Sequence, residues 1–470
     1  MKTLIINPHC DLEKAVGSLK TVYTSMPPSN IAYLATMLRD SGVEVKVHDE
    51  SVMHAGVKGI LDEIENEKPD AVGISCLTQN APEVFTFCRA IKDKYKKLPL
   101  VLGNLHADYF ANDVLNENLA DFVVHGEGEH TIVDLMHQLG NGKDYSKVAG
   151  ISFKPNGEII RTMPRPYIND LDELPFPDWT MFPIERYRLF PFAEIAKPGT
   201  LISGSRGCPY YCNFCSLLTM GHKRRKRTLE NMVAEFEYLH DKFGYKQISF
   251  IDPIFPISKK EGMTFSKMLM DRGIHKKVVW TTETRVDLVD EELLGAMKEA
   301  GCRRIMYGFE VGNDDTLDNI NKGFEIDEAV KAVKATKKVG MEIIGFFMVG
   351  VPGETRESAE RTIKFAKMLD VDFAKFNVTV PYPGTTMYEE MVKSGKLTSK
   401  EWHRYTSYPS KGTPPVFIPE KMTADEVIDV QRKAFREFYV RPKMIFRYLF
   451  QIRTVSLKEM FIGALSFFKN

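Results

Sequence analysis

The sequence predicts an α/β chain in two sheet-bearing parts: a doubly wound parallel sheet, then a partial barrel of six strand–helix units, followed by a helical tail. Three observations carry this reading. Short apolar runs alternate with amphipathic helical patterns in two blocks, one before residue 142 and one from about residue 196. Runs buried on both faces and separated by helices make parallel sheets. A proline-rich stretch interrupts the alternation, and beyond residue 399 only helical patterning remains.

Size and charge bound the function. The 470 residues suffice for two or three domains with buried cores. Lys and Arg number 63, as do Asp and Glu, so the net charge is zero and nucleic acid is not favoured as a partner. The start, MKTLIINPHCDL, reads as a strand and lacks the apolar core and cleavage site of a signal peptide. No run approaches the ~18 apolar residues of a transmembrane helix. Seven cysteines, three of them clustered, point to the cytoplasm and to metal binding rather than a disulfide framework.

In the first block, 1–142, strands are expected at 3–7, 43–48, 71–75, 98–102 and 121–125, with helices at 30–39, 82–94 and 129–139. Such sheets bind ligands beyond the carboxyl ends of their strands. No G-x-G-x-x-G follows the first strand, so a dinucleotide lacks its phosphate turn. Residues 143–195, with Arg165-Pro166 and Leu174-Pro175-Phe176-Pro177, read as a connector. In the second block, 196–398, strands are expected at 201–205, 246–252, 278–283, 304–310, 342–350 and 373–380. Helices are expected at 228–243, 291–300, 327–339 and 355–369. Six units fall short of a closed eight-stranded barrel, but right-handed crossovers still curl the sheet and put its site at the strand C-terminal ends. Residues 399–470 form the helical C-terminal region.

Cys208, Cys212 and Cys215 lie in one loop after the first strand of the second block. Thiolates this close in sequence let a short loop wrap one cluster. Three ligands leave one metal position open. A zinc ion would need a fourth Cys or His, for which His222 is the nearby candidate.

Cys-x3-Cys-x2-Cys with Phe214 before its last cysteine resembles the signature of radical S-adenosylmethionine (SAM) enzymes. The resemblance implies a 4Fe–4S cluster on Cys208, Cys212 and Cys215 whose open iron binds SAM, with Phe214 near the adenine. Later segments resemble the family's strand-end elements: Thr284-Arg285-Val286-Asp287, Tyr307-Gly308-Phe309-Glu310, Gly350-Val351-Pro352-Gly353-Glu354-Thr355 and Pro381-Tyr382-Pro383-Gly384-Thr385. By that resemblance Glu283, Arg285 and Glu310 contact the SAM ribose or methionyl end, and Gly350 lets the backbone approach it. Ile251-Asp252-Pro253 departs from the pattern, since Pro253 stands where a second carboxylate is common.

In the first block, Ser75-Cys76-Leu77 and Gly103-Asn104 resemble the Ser-x-Leu and Gly-Gly elements of cobalamin-binding domains. Gly126-Glu127-Gly128-Glu129 and Pro27-Pro28-Ser29-Asn30 resemble the cobalamin-dependent radical SAM subclass. The implied cobalamin contacts are Ser75, Leu77, Thr78, Gly103, Asn104, Gly126 and Glu127. Asn104, in place of a second glycine, adds a side chain where the nucleotide tail passes. The Asp-x-His-x-x-Gly element is absent, so no histidine lies beneath cobalt and the 77–80 loop forms the lower face. His9, His48 and His106 read as surface or supporting histidines rather than cobalt ligands.

The resemblance therefore implies a Rossmann-like cobalamin-binding domain, a partial (β/α)6 TIM-like radical SAM barrel and a helical extension. Its implied activity is methyl transfer to an unactivated carbon of a small-molecule or lipid substrate, through a 5′-deoxyadenosyl radical and methylcobalamin. The implied electron donor is an external flavodoxin or ferredoxin type. The same cofactors also serve oxidation, cyclisation or rearrangement. A reading from another class is a non-catalytic iron–sulfur carrier or binding module.

Two further segments are ambiguous in sequence. The basic run 222–227 reads as a solvated loop leading to a helix N-cap at Thr228, or as a grip for an anion. The basic, aromatic segment 435–470 reads as a membrane-surface helix or as a helix packed across the barrel's open side.

Overall fold

A computed structural model describes residues 1–11, 25–190, 193–216 and 220–450. Met1–Asp11, Pro27–Tyr187 and Glu401–His403 form one compact unit, and Arg188–Lys400 with the chain from Arg404 belongs to a second.

The first unit is built on β1 (Lys2–Asn7), β2 (Glu44–Asp49), β3 (Ala71–Ser75), β4 (Leu100–Gly103), β5 (Phe122–Val124), β6 (Ile151–Phe153) and β7 (Ile160–Arg161). Their order is β2-β1-β3-β4-β5-β6-β7. The first five are parallel, in keeping with apolar runs such as Ala71–Ser75 and Leu100–Gly103 that are buried along nearly their whole length. Leu4, Ile6, Val72, Ile74, Leu100 and Leu102 face Ile60, Val84, Cys88 and Ile91 from the helices. On another face Tyr33 and Met37 meet Ile168, Leu171 and Leu174.

Residues 143–187 of the expected 143–195 connector are thus part of this unit, and the remainder belongs to the second. β6 and β7 extend the sheet antiparallel, and Ile168, Leu171 and Leu174 bury against the 29–40 helix. Strands of three and two residues are too short to produce a periodic signal. The helix Gly56–Glu67 was also not anticipated; only Ile60 and Ile64 of it are buried, too few for a clear apolar stripe.

The second unit is built on β8 (Gly199–Ile202), then a small antiparallel pair β9 (Ser205–Arg206) and β10 (Arg225–Lys226). It continues through β11 (Gln247–Phe250), β12 (Val279–Thr284), β13 (Cys302–Glu310), β14 (Glu342–Val349) and β15 (Phe373–Val378). The main sheet runs β8-β11-β12-β13-β14-β15, parallel throughout. Consecutive strands are neighbours, as expected of successive βα units.

The helices that line it begin where the sequence places caps. Thr228 accepts from the Asn231 N–H, Asp290 from Leu293 and Thr355 from Ser358. The tail is helical only from Ala424, in helices Ala424–Tyr439 and Pro442–Phe450, rather than from 399. Residues 396–421, with four prolines and Gly412, are largely irregular chain held by isolated bridges such as Leu397 to Phe417. Among the described residues no helix is long and apolar enough to cross a membrane.

Candidate functional site

The cysteine loop leaves the sheet through the small β9–β10 pair. Gly207 has φ +77°, and a Cβ there would lie 2.5 Å from the Lys223 carbonyl oxygen and 2.9 Å from that of Gly221. Only glycine fits so tight a reversal. The Cys208 N–H donates to the Gly221 carbonyl at 3.2 Å, which closes the base of the loop.

The loop's far side is tied to segments much later in the chain. Asn213 donates from its backbone to the Ile320 carbonyl at 3.2 Å and from its side chain to that of Asn319 at 3.0 Å. Asn321 donates to the Tyr211 carbonyl at 2.7 Å, and the Met387 N–H to that of Asn213 at 2.9 Å. Cys208 is buried, Cys212 and Cys215 are half-buried, and all three are free thiols. His222, the zinc alternative's fourth ligand, stacks its ring on Tyr211 at 4.1 Å. Among the described residues no three His, Cys, Asp or Glu side chains converge on a single ion.

Around the loop lies a set of buried charges. Arg285 stacks its guanidinium 3.8 Å from the Tyr210 ring centroid. It forks onto Asp287 at 2.9 and 3.0 Å and donates to the Lys322 and Gly323 carbonyls at 2.6 and 2.9 Å. The residue expected at SAM is therefore engaged in bracing the loop. Glu310 ends β13 after a bulge, at φ +62°, and accepts from Lys322 Nζ at 2.6 Å. Lys322 in turn lies 5.9 Å from the centroid of the Phe214 ring.

Burial works against the Lys322 ammonium, but Glu310 and then Cys212 outweigh it and hold its pKa up. Burial raises the Cys212 thiol, with Lys322 the largest opposing influence. Burial also pushes Glu283 up to about 7, against Lys322. So Phe214, Cys212, Glu310, Glu283 and Arg285 do gather in one neighbourhood. Lys322 links them, and no local pattern in the sequence marked it.

Asp252 braces the loop's approach. Its carboxyl accepts from the Gly204 N–H at 2.8 Å and from the Ser205 hydroxyl, and burial pushes it up to about 6. Gly350 follows β14 at φ +79°, and its N–H donates to the Glu354 carboxyl. The solvated reading of the 222–227 run holds for His222, Lys223 and Lys226, which are exposed, and for the N-cap at Thr228, but not for the arginines. Arg225 and Arg227 are buried, Arg227 pairs with Glu235, and Arg224 and Lys226 reach Glu261 at 2.9 and 3.2 Å. The partners lie on the following helices, so the run's composition alone concealed them.

In the first unit the ends of β3 and β4 meet. Ser75 and Gly103 are register partners. They lie beside the point where strand order reverses between β1 and β3, where such sheets bind ligands. Asn104 adopts φ +79°, ψ 170°, a region nearly exclusive to glycine. Its side chain donates to the Ser75 hydroxyl at 3.0 Å and accepts from the Leu105 N–H at 2.8 Å, so it lies along the sheet edge. Leu77 is 40% exposed, an apolar surface at a strand end.

Thr78 is buried on His106 at 3.2 Å. His106 is not a surface histidine: it is 1% exposed, packed by Phe110 and Trp402, and burial pushes its pKa down to about 4. His48 is equally buried, against Glu50 at 3.0 Å. Gly126, at φ +65°, donates to Asp108 at 2.9 Å, and Glu127 accepts from the Ile168 N–H at 2.7 Å, holding the segment beyond β7.

Comparisons with known proteins agree with this geometry. The model of the radical SAM superfamily matches residues 202–366, and that of the B12 binding domain matches residues 16–136. An uncharacterized methyltransferase of Pyrococcus horikoshii is 33% identical over 467 residues, covering 99% of this chain and 98% of its own. The anaerobic magnesium-protoporphyrin IX monomethyl ester cyclase of Cereibacter sphaeroides is 27% identical, over 90% of this chain and 68% of its own. Among solved structures, the radical SAM methyltransferase TsrM of Kitasatospora setae, with cobalamin and a 4Fe–4S cluster bound, superposes with a TM-score of 0.72 at 16% identity, covering 99% of this chain and 94% of that one.

Fold and site thus define an enzyme class that couples a B12-binding sheet to a SAM-cleaving barrel. The chain belongs to the radical SAM superfamily, in the branch that carries a B12-binding domain. The two family models name SAM and B12, and the TsrM structure holds a 4Fe–4S cluster and cobalamin.

The residues fit these groups. Three soft thiol donors, and not four, come from one pinned loop beside two cations, Lys322 and Arg285. In the first unit small residues at paired strand ends, with Leu77 exposed next to them, leave room for a flat apolar face.

Proposed function

We propose that the protein transfers a methyl group to an unactivated carbon of a small-molecule or lipid substrate. The observation that carries this is the three-thiol loop at the strand C-terminal ends of the second unit, in a chain whose first unit is a B12-binding sheet. When bound, the cluster and SAM supply hydrogen abstraction, and cobalamin supplies the methyl group. Cys208, Cys212 and Cys215 hold the cluster. Phe214, Glu310 and Gly350 border SAM, and Glu283 lies beside them. Arg285 holds the 322–323 turn and the Tyr210 ring in place, so the loop keeps its shape when iron is absent. Ser75, Leu77, Thr78, Gly103, Asn104 and Gly126 border cobalamin, and Glu127 fixes the segment behind them.

The likeness to a cyclase supports a second reading, ring closure or oxidation without methyl transfer. The two separate on product analysis. Anaerobically reconstituted protein, given deuteromethyl-SAM, cobalamin, a low-potential reductant of the flavodoxin or ferredoxin type and a cell extract, should yield 5′-deoxyadenosine, S-adenosylhomocysteine and a labelled product. 5′-Deoxyadenosine without turnover amounts of S-adenosylhomocysteine and without label transfer favours the second reading. No 5′-deoxyadenosine at all overturns both. Cys212→Ala should lose the cluster's visible absorbance and reduce SAM cleavage by at least ~1,000-fold, since the chemistry belongs to the cofactor.

Peripheral membrane contact through residues 435–470 belongs to the same proposal. Ile445 and Phe446 are exposed on the last described helix, which supports it, and residues 451–470 lie outside the described part. Co-sedimentation with anionic vesicles tests it.

A further inference from the structure

The cysteine loop is covered unevenly. Tyr210 lies under the Arg285 guanidinium, and Phe214 has Lys322 5.9 Å from its ring centroid. Pro209 and Tyr211, next in sequence to Cys208 and Cys212, are exposed, and Tyr211 keeps 58% of its surface.

The basic run supplies the ground beside this opening. β10 pairs with β9, Lys226 opposite Ser205 and Arg225 opposite Arg206, and the Cys208 N–H donates to the Gly221 carbonyl. These bonds keep residues 221–226 against the base of the loop. His222 then stacks on Tyr211, with 4.1 Å between ring centroids and 18° between ring planes. His222, Lys223 and Lys226 are exposed. The carboxylates that pair with the run, Glu261 and Glu235, are buried, their side chains 3% and 1% exposed. What the run presents to solvent is therefore cationic. The exposed acids Asp315 and Asp318 lie on another element, the helix Asp314–Asn319 that leads into the turn bonded to Asn213 and Tyr211.

An exposed aromatic ring bordered by cations has the composition of a protein interface. Tyrosine rings anchor interfaces, and a ring already stacked on a neighbour loses less freedom when a partner covers it. Cations at its edge steer an acidic partner and set the direction of its approach. Position decides which partner. The cluster proposed on Cys208, Cys212 and Cys215 needs one electron for each SAM cleaved, and a carrier must come close to the thiols without entering the barrel.

We propose that Tyr211, His222, Lys223 and Lys226 form the docking surface for a small acidic electron-carrier protein. This rests on the proposed function and names a partner of its site. The carrier's acidic rim meets Lys223 and Lys226, and its redox centre comes to rest over the Tyr211–His222 stack. In the docked pair the carrier loses one electron and the cluster gains it. No bond forms or breaks in that step and no proton moves. Because the acids of the 314–319 helix stand on the other element, the carrier docks in one orientation, with its negative side toward residues 222–226.

The test uses the full, cluster-loaded chain, with flavodoxin kept reduced as the probe and dithionite as a reductant that needs no docking. Lys223→Glu, alone and combined with Lys226→Gln, should raise the flavodoxin concentration for half-maximal 5′-deoxyadenosine formation about tenfold, while the dithionite-supported rate stays within about twofold of wild type. Lys223→Arg should match wild type. At about 1 M salt, where the screening length is ~3 Å, wild type and variants should coincide. An equal loss with both reductants makes these lysines part of the site itself and overturns the proposal, as does an unchanged half-saturation. Carbodiimide cross-linking supplies a readout apart from activity. Wild-type chain and flavodoxin should join through Lys223 or Lys226, identified by peptide mass, and joining only through other lysines overturns the proposal. The cross-link also decides if the variants do not fold. If dithionite supports no 5′-deoxyadenosine formation, that result counts against the enzyme class, and the cross-link still decides the docking surface.

Discussion

A single added methyl group at position 207 would meet two carbonyl oxygens, at 2.5 and 2.9 Å, neither of which belongs to a flexible side chain. Gly207→Ala also places a side chain at φ +77°, which alone costs about 1–2 kcal/mol. The variant should keep its far-UV circular dichroism yet bind less than about a tenth of the wild-type iron, a tenfold loss being only ~1.4 kcal/mol. Glu354 offers a second test at this scale. Burial pushes its carboxyl up to about 7 from 4.5. A raised acid stabilises the fold below its unfolded pKa, and that contribution fades as pH rises through the folded value. Over this shift the loss is about 3 kcal/mol. Denaturant titrations of Glu354→Gln and wild type should therefore converge in acid, and the difference should move in favour of the variant between about pH 4.5 and 8. A difference that stays flat with pH would contradict the assignment.

The elements divide by how locally their causes lie. The second block's strands and four of its helices were legible because three of those helices open on a capping residue, Thr228, Asp290 or Thr355, and the strands are short apolar-rich runs between helical patterns. The cysteine triad was legible for the same reason, since its spacing is local. What escaped is long-range. Lys322 acquires its meaning only by reaching Glu310, and the basic run only by reaching Glu235 and Glu261. Arg285 joins the β12 end, the 322–323 turn and the cysteine loop through one planar fork. Lysine cannot fork or stack in that way. Arg285→Lys should destabilise the loop by about 2–3 kcal/mol, read as faster hydrogen exchange at residues 208–215 and 319–323 with the rest of the barrel unchanged.

At the scale of the whole chain, residues near the C-terminus complete the first unit. Trp402 packs at 4.8 Å on both His106 and Phe110, beside the β3 and β4 ends where the cobalamin contacts are proposed. Trp402→Ala should cost that unit about 2–4 kcal/mol, less than full burial because the ring is only partly covered. Exchange at residues 104–110 should accelerate most, and cobalamin retention during gel filtration should fall. If exchange there is unchanged, the ring is not part of the unit's stability.

The ties on the cysteine loop also set an order in time. Asn213 waits for Ile320 and then for Met387, about 170 residues further on. At ~5–20 residues per second, a ribosome takes roughly 10–35 s to deliver that last partner. For that interval the nascent chain carries three thiols on a loop without its fasteners. Iron delivered so early would meet an unshaped ligand set, so cluster insertion belongs after residue 387 has emerged, and a cell starved of cluster-assembly factors should accumulate a folded, colourless apoprotein rather than a truncated or aggregated one.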